Sequence, residues 1–452
     1  MKTKYLYITL LVVIKILYVY LCVLMLPEEW TSYDFDRDIN ISNVIYEIVP
    51  FCACLYAYVK YLTPGSPISF ALTIYFCLYV IPSNSCISIS NYSFLYFLSI
   101  NLFNIVLLCL VGKVAMSSRL NLQRAAVDEF YLDSNKELQN TSRYVTFITC
   151  VGVIFYVRFL RGSISLDGIF SQEIYETRMV VAELYMRNMG GPIAYLMLFV
   201  EAFYSSMLII GMYLSLKNKH YFDTALCVFT YLLLFAFEMQ KSLLLKPIIV
   251  LFMYYLYKRH KVESSVKVFL FGFLVLQLFS LLEYYFLKES DIFSVVIRRM
   301  AYMPQYLSHA YYEFFDAHDK LWLTRDFCLL EKVIRIIYPS SYEHGAVTII
   351  AENCFPGVPS PNTGLFGEAF AQFGYLGIIV LPIILAYILK ILMKYSLIFG
   401  QGASHVLMAS FIISLIDIQV LAPRGILIVV IFIVISSYVK RKCIQNNNNL
   451  VK

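Results

Sequence analysis

At 452 residues the chain has the length of two or three soluble domains, yet 60% of it is hydrophobic and only 15% is charged, against about 25% charged in a soluble domain. With a mean hydropathy of +0.70 and apolar runs long enough to cross a bilayer, the composition excludes a soluble enzyme and gives an all-α polytopic integral membrane protein, a single transmembrane domain over 1–452. The net charge of +6 is modest and uneven along the chain, which sets topology and makes no nucleic-acid surface.

The first predicted span, 5–26, follows Lys2 and Lys4 and no small-residue cleavage site comes after it, as in an uncleaved signal anchor. Further spans are predicted at 43–62, 66–82, 93–116, 144–160, 191–215, 221–238, 242–258, 266–287, 369–395, 403–422 and 425–440, about twelve in all. The third is short and contains Pro67, and the seventh and eighth share a tight turn flanked by Lys241 and Lys246. Glu238 nearby offers Lys241 an ion-pair partner; contact with an anionic group near the membrane is the alternative.

Lys60, Lys113, Arg119, Arg124, Arg143, Lys217, Lys258, Arg259, Lys390, Lys394 and Lys440 fall on one set of connections with both termini. The positive-inside rule assigns that set to the cytoplasm. Two long stretches, 161–190 and 288–368, then face the opposite side, and the second has room for a folded extramembrane cap. Cys328 and Cys354 both lie in it and can pair in an oxidising compartment, though their spacing leaves this open. There is no CxxC, no HExxH and no His cluster at ligand spacing, so no protein-bound metal is expected. With no Walker or GxGxxG motif either, no nucleotide cofactor is expected.

The outer stretches carry many arginines among aromatics. Span five ends on Arg158 and Arg161, at i and i+3. Arg178 follows in the first outer loop, Arg298 and Arg299 open the second, and Arg424 returns to this side. Arginine grips phosphate bidentately, so the set points to an anionic substrate. Pairing with Glu173, Glu176 or Asp291 is the plainer use for any single one. Segment 360–377, SPNTGLFGEAFAQFGYLG, leads from the large loop into the tenth span. Asn362 and Thr363 suit a helix cap, and the glycines suit close packing.

Three stretches carry a family likeness: Tyr-Glu-x-Arg through Arg178 ending in Gly190-Gly191, the Arg-Arg…Pro…Tyr-Tyr-x-Phe-Phe run 298–315, and Asn-Thr-Gly…Glu-Ala-Phe…Phe-Gly-Tyr-Leu-Gly at 362–377. In these, and in its span layout, the chain resembles the Wzy-type polymerases of O-antigen and related repeat-unit polysaccharides. The resemblance implies an all-helical fold with a helical periplasmic cap, similar to the metal-independent GT-C-like membrane glycosyltransferases. It implies transfer of a growing glycan from undecaprenyl diphosphate to the next lipid-linked repeat unit, on the periplasmic face of a bacterial inner membrane. The implied partners are the lipid-linked donor and acceptor, the membrane lipids and a chain-length regulator protein. Pro361-Asn362 stands where the similar O-antigen ligases have His-Asn, which favours polymerase over ligase and leaves the base open among His309, His318, His344 and Glu368. On this reading Glu368, His344 and Asn362 are the catalytic candidates. Arg178, Arg298, Arg299, Arg158, Arg161, Lys241 and Arg424 are the diphosphate-binding candidates, and Tyr311, Tyr312 and Phe315 are sugar-stacking candidates. A lipid-linked oligosaccharide flippase or other transporter is the alternative from a different class. The long outer loop and the lack of an internal repeat weigh against it.

Overall fold

The computed structural model describes residues 2–26, 41–117, 136–160, 207–238, 242–259, 261–324, 331–339, 341–355, 363–417, 429–439 and 441. The described chain is helical and contains no strand. It divides into two compact units, one of 1–117, 263–389 and 412–420, the other of 118–262, 390–411 and 421–452.

Among the described residues six helices are long and apolar enough to cross a membrane: Lys4–Met25, Asn43–Tyr61, Pro67–Ile89, Phe94–Ser117, Val262–Leu287 and Leu365–Phe399. They cover the first, second, third, fourth, ninth and tenth expected spans. Shorter apolar helices at Thr146–Phe155, Tyr221–Phe235, Gln401–Leu415 and Val429–Val439 fall on the fifth, seventh, eleventh and twelfth. Most of the sixth, 191–215, lies outside the described residues.

In the first unit α1 (Lys2–Met25), α2 (Ile41–Tyr61), α3 (Pro67–Ile89) and α4 (Phe94–Ser117) form the opening bundle. Every residue from 65 to 90 is buried, so α3 is encased by protein along its whole length. That explains its composition. A lipid-facing helix of this length would expose Ser83, Asn84, Ser85 and Ser88 to hydrocarbon, whereas here all four are buried beside neighbouring helices. Asn104 of α4 donates to Ser83 Oγ at 2.7 Å and accepts from Tyr75 at 2.6 Å, and Tyr58 of α2 meets Thr73 at 2.6 Å. Bonds of this kind hold helices in lipid at ~0.6 kcal/mol each on average, because apolar burial alone gives little drive there. A π-helical turn at Phe76–Val80 interrupts α3 just before Pro82. Proline has no N–H to give and its ring would collide with the carbonyl four residues back; the widened turn accommodates both defects.

The second half of this unit begins with α9 (Ser265–Leu287), which packs on α1 and α3. The chain then runs through a π-helical stretch, Phe293–Tyr302, straight into α10 (Met303–Ala317). Two short helices follow, α11 (Glu331–Ile337) and α12 (Ala346–Cys354). The described part of the stretch expected to form a cap is thus these helices with non-helical segments between them, and α10 packs on α3 and α12 of the same unit.

The tenth expected span, 369–395, starts earlier and is broken. A helix α13 (Leu365–Phe373) ends at Gly374, a 3-10 turn covers Gly374–Leu376, and α14 (Gly377–Ser396) continues. Gly374 has φ +56°, a left-handed conformation that glycine adopts at no steric cost. A Cβ on Gly377 would lie 2.1 Å from the Ala369 carbonyl oxygen, so only glycine fits there. The carbonyls freed at the end of α13 are not wasted: Leu321 and Trp322 N–H donate to Ala371 and Gln372, each at 2.9 Å, and Leu323 N–H donates to Gln372 Oε1 at 2.9 Å.

The second unit is built on α5 (Lys136–Leu160), α6 (Ile209–Lys217), α7 (Tyr221–Glu238) and α8 (Ser242–Lys258), which pack on one another. Arg143 of α5 bonds Asp223 of α7 at 2.8 Å. Helices α15 (Gln401–Asp417) and α16 (Val429–Val439) follow.

Candidate functional site

The stretches 298–315 and 362–377 meet in the first unit, where α10 packs along α13. The Ser308 hydroxyl lies 2.9 Å from that of Thr363 and 3.4 Å from that of Tyr79. Tyr79 also accepts the Phe366 N–H at 3.3 Å. Three hydroxyls from α3, α10 and the approach to α13 therefore gather at the start of α13. Asn362 and Thr363 were the expected caps. The cap position is instead Gly364, in extended backbone and with no side-chain cap bond, because Thr363 is turned to Ser308 and Tyr79 occupies the space a Cβ at 364 would need.

Glu368 stands in the first turn of α13 and is 2% exposed. A carboxylate near a helix N-terminus is favoured by the helix dipole, and a buried one must be partnered. Tyr311, Tyr312 and Phe315, expected as sugar platforms, are core residues. The Tyr312 ring lies 4.6 Å from Phe370 and 5.4 Å from Tyr96, and its hydroxyl is 3.0 Å from that of Tyr375, which donates to Asp316 at 3.1 Å. Phe315 packs against Tyr311, Phe314 and Tyr342. In this arrangement the rings join α10 to α13 and to the loop beyond it.

Arg298 sits in the π-helical stretch, with its side chain half-buried. Arg299 is on the same stretch, and Arg158 is near the end of α5, in the other unit; their side chains lie outside the described residues. So, entirely, do Asn362, Arg161, Arg178, Lys241, Arg424 and Cys328. Cys354 is a half-buried free thiol at the end of α12. His344 is exposed, two residues before α12, and not part of the α10–α13 contact. His318 stacks on Phe314 at 4.3 Å and bonds its carbonyl. Among the described residues no three His, Cys, Asp or Glu side chains come together as a metal ion would require.

Two groups of polar residues take on surroundings that the sequence did not mark, one of them around His309, a base candidate. Lys15, in the middle of α1, pairs with Glu47 of α2 at 3.0 Å, with both side chains buried or nearly so. Asn84 of α3 accepts from Lys15, and its Nδ2 donates to the Asn101 side chain of α4 and the Glu47 carbonyl, each at 3.2 Å. The Ser88 N–H donates to Glu47 Oε1 at 3.0 Å. Charge inside an otherwise apolar span was the signal available for this ion pair.

The other group lies on α10. His309 is 4% exposed, stacked on Tyr92 at 4.0 Å and edge-on to Tyr96 at 4.9 Å. Burial pulls its pKa down to about 4, so the imidazole is neutral at pH 7. Glu313, exposed one turn on, reaches to 3.4 Å from Nε2. Gln305 is 2% exposed, and neither its Oε1 nor its Nε2 meets a hydrogen-bond partner among the described residues. An orphaned buried polar group costs ~1–3 kcal/mol. An amide carries no charge, and nothing in the composition or spacing of 298–315 marked Gln305.

No protein-family model, curated protein or solved structure matches this chain.

Proposed function

We propose that the protein is a membrane glycosyltransferase, a polymerase that moves a growing oligosaccharide from undecaprenyl diphosphate onto the next lipid-linked repeat unit at the periplasmic face of a bacterial inner membrane. The observation that carries the reading is the junction of α10 and α13. Two of the three stretches that resemble Wzy-type polymerases pack together there, sealed by the Ser308–Thr363 bond, with Arg298 and Glu368 on the two partners.

The chemistry needs two services. The acceptor hydroxyl oxygen bonds to the anomeric carbon of the donor while the bond from that carbon to the diphosphate oxygen breaks. The electron pair leaves with the diphosphate, and arginine stabilises the charge that develops. Arg298 is the described candidate, with Arg178, Arg299, Arg158, Arg161, Lys241 and Arg424 as the remaining cations of the reading. The hydroxyl proton passes to a base within hydrogen-bond reach. Glu368 is assigned that role, with His344 as the other candidate and Asn362 as an orienting group. No cofactor takes part in the step so written, and a chain-length regulator is the expected partner protein.

The test is a Glu368→Gln protein in a host lacking the wild-type gene. The isostere keeps the shape and removes the proton acceptor, so it should reach normal abundance and leave the surface glycan at one repeat unit. Full-length ladders from a stable variant would remove Glu368 as the base. The buried Lys15–Glu47 pair favours a second reading, a transporter of lipid-linked oligosaccharide, since charges inside spans are a mark of such proteins. Proteoliposomes loaded with lipid-linked repeat units separate the two: a polymerase lengthens the glycan, and a transporter moves it across unchanged.

A further inference from the structure

Arg298, Tyr302, Gln305 and His309 recur at i, i+4, i+7 and i+11 of one continuous helical run, and so share one face of it. Tyr302, Gln305 and His309 are buried. The residues packed directly on this face are aromatic. Tyr96 donates to the Gln305 carbonyl at 3.0 Å and stands edge-on to His309, while Tyr92 stacks on His309. None of these residues lies in the helices long and apolar enough to span the membrane except Tyr96, near the start of α4. The face thus sits by the end of that helix.

Gln305 is the unusual member. Protein interiors pair almost all buried polar atoms, yet here one amide leaves both its donor and its acceptor unmet among the described residues. An apolar residue of the same length would pack there without that cost. The side chain makes sense if something outside the protein meets it. Its neighbours say what kind of group that is. A phosphate calls for cations and N–H donors. Sugar hydroxyls, which both donate and accept, call for groups that do the same: an amide, a neutral imidazole, a phenol. Within the row only Arg298 carries charge, Tyr302, Gln305 and His309 being neutral and two-faced; the Glu313 carboxylate lies one turn beyond, at the His309 end.

We propose that the face Tyr302–Gln305–His309 is a saccharide subsite, taking the hydroxyls of the sugar joined to a lipid diphosphate, with the diphosphate at the Arg298 end. The identity of the lipid rests on the polymerase reading; the preference of the row for hydroxyl-rich groups does not. It places the first sugar along α10, in line with the start of α13, where Ser308 and Thr363 meet.

The experiment uses the full chain in lipid nanodiscs and two probes: undecaprenyl diphosphate, and the lipid-linked repeat unit extracted from a host lacking polymerase activity. Wild type should prefer the sugar-bearing lipid. Gln305→Met, similar in length and apolar, should keep its affinity for the bare diphosphate and lose roughly tenfold for the sugar-bearing one. Its melting temperature should hold or rise, because an orphaned amide has been removed. Should that variant not be recovered folded, Gln305→Glu, which keeps the length and removes the donors, gives the same comparison. Unchanged affinity for both lipids in a stable variant overturns the subsite. So does a lowered melting temperature with both affinities intact, which would make the amide a structural group met by ordered water. A wild type that shows no preference between the lipids overturns it as well. If the preference is present and lost in the variant, but vesicles form no polymer, the polymerase reading falls and the subsite stands.

Discussion

His309 shows how one side chain can tie stability to pH. Burial lowers its folded pKa from 6.5 to about 4, so the unfolded chain binds a proton that the folded chain refuses between those values. Stability from this group is complete above about pH 6.5 and is lost as the pH falls towards 4. The limit is about 3 kcal/mol for a shift of this size, and the nearby Glu313 carboxylate works against it by favouring the charged form. Thermal melts of the purified protein should therefore fall steeply from pH 7 to 5, and His309→Gln should flatten that slope. An unchanged slope in the variant would place the titration elsewhere. The histidine was visible in the sequence as one base candidate among several. Its burial was not, because burial depends on Tyr92 and Tyr96, more than 200 positions earlier in the chain.

Single charges behave the same way inside a span. Lys15 and Glu47 were invisible as a pair because each is one polar letter within a run long enough to cross the bilayer. Only the α1–α2–α3 packing brings them to 3.0 Å and adds Asn84 and Ser88. Removing one partner strands the other, which costs ~3–5 kcal/mol in a buried site. Lys15→Met should therefore lower the melting temperature and membrane yield sharply, and adding Glu47→Gln should recover much of the loss. A double variant as unstable as the single one would show that Asn84, not the pair, dominates.

At the scale of elements, hydropathy marked where helices run but not what surrounds them. Helix α3 is as apolar as a lipid-exposed span and yet is wholly buried. Its serines and asparagines were the hint, and Pro67 and its short apolar run made it look weak instead. The α13–α14 break was legible in outline, since Gly374 and Gly377 stand where the backbone turns and touches itself. The start of α13 was not, because Thr363 is drawn to Ser308 of a helix some 55 positions away. Gly377→Ala should be severe: the new Cβ meets backbone carbonyl, which cannot swing aside as a side chain can. The expected result is low membrane abundance and a melting temperature several degrees below wild type. Gly272→Ala is the control. Nothing lies within 4 Å of a Cβ there, and alanine is favoured over glycine in a helix by ~1 kcal/mol, so that variant should be as stable as wild type or slightly more so. Equal behaviour of the two would mean that α13 and α14 can part without cost.

At the scale of the whole molecule, the sequence gives a direction that packing cannot. Lysine and arginine are concentrated on one set of connections, and the charge bias of short loops orients membrane proteins. On the orientation that bias predicts, the arginines of 161–190 and 288–368 would run against it, and a cation on the translocated side needs a reason to be there. On the proposed polymerase reading a lipid diphosphate would supply one for Arg298, whose helix runs into α10 and so to the junction with α13. The expectation is that both termini and 117–143 are cytoplasmic, and that 161–190 and 288–368 are periplasmic. Reporter fusions at 175 and 320 should then be active as periplasmic enzymes and silent as cytoplasmic ones, with fusions at 125 and 445 giving the reverse. The fusion at 320 decides most. It follows α10 directly and precedes the strap in which Leu321 and Trp322 bond the end of α13, so it reports the side on which Arg298, Gln305, His309 and Glu368 would meet a substrate. Cytoplasmic activity at 320 would leave the α10–α13 junction intact but turn it towards the compartment where repeat units are assembled, and the polymerase reading would then fail together with its topology.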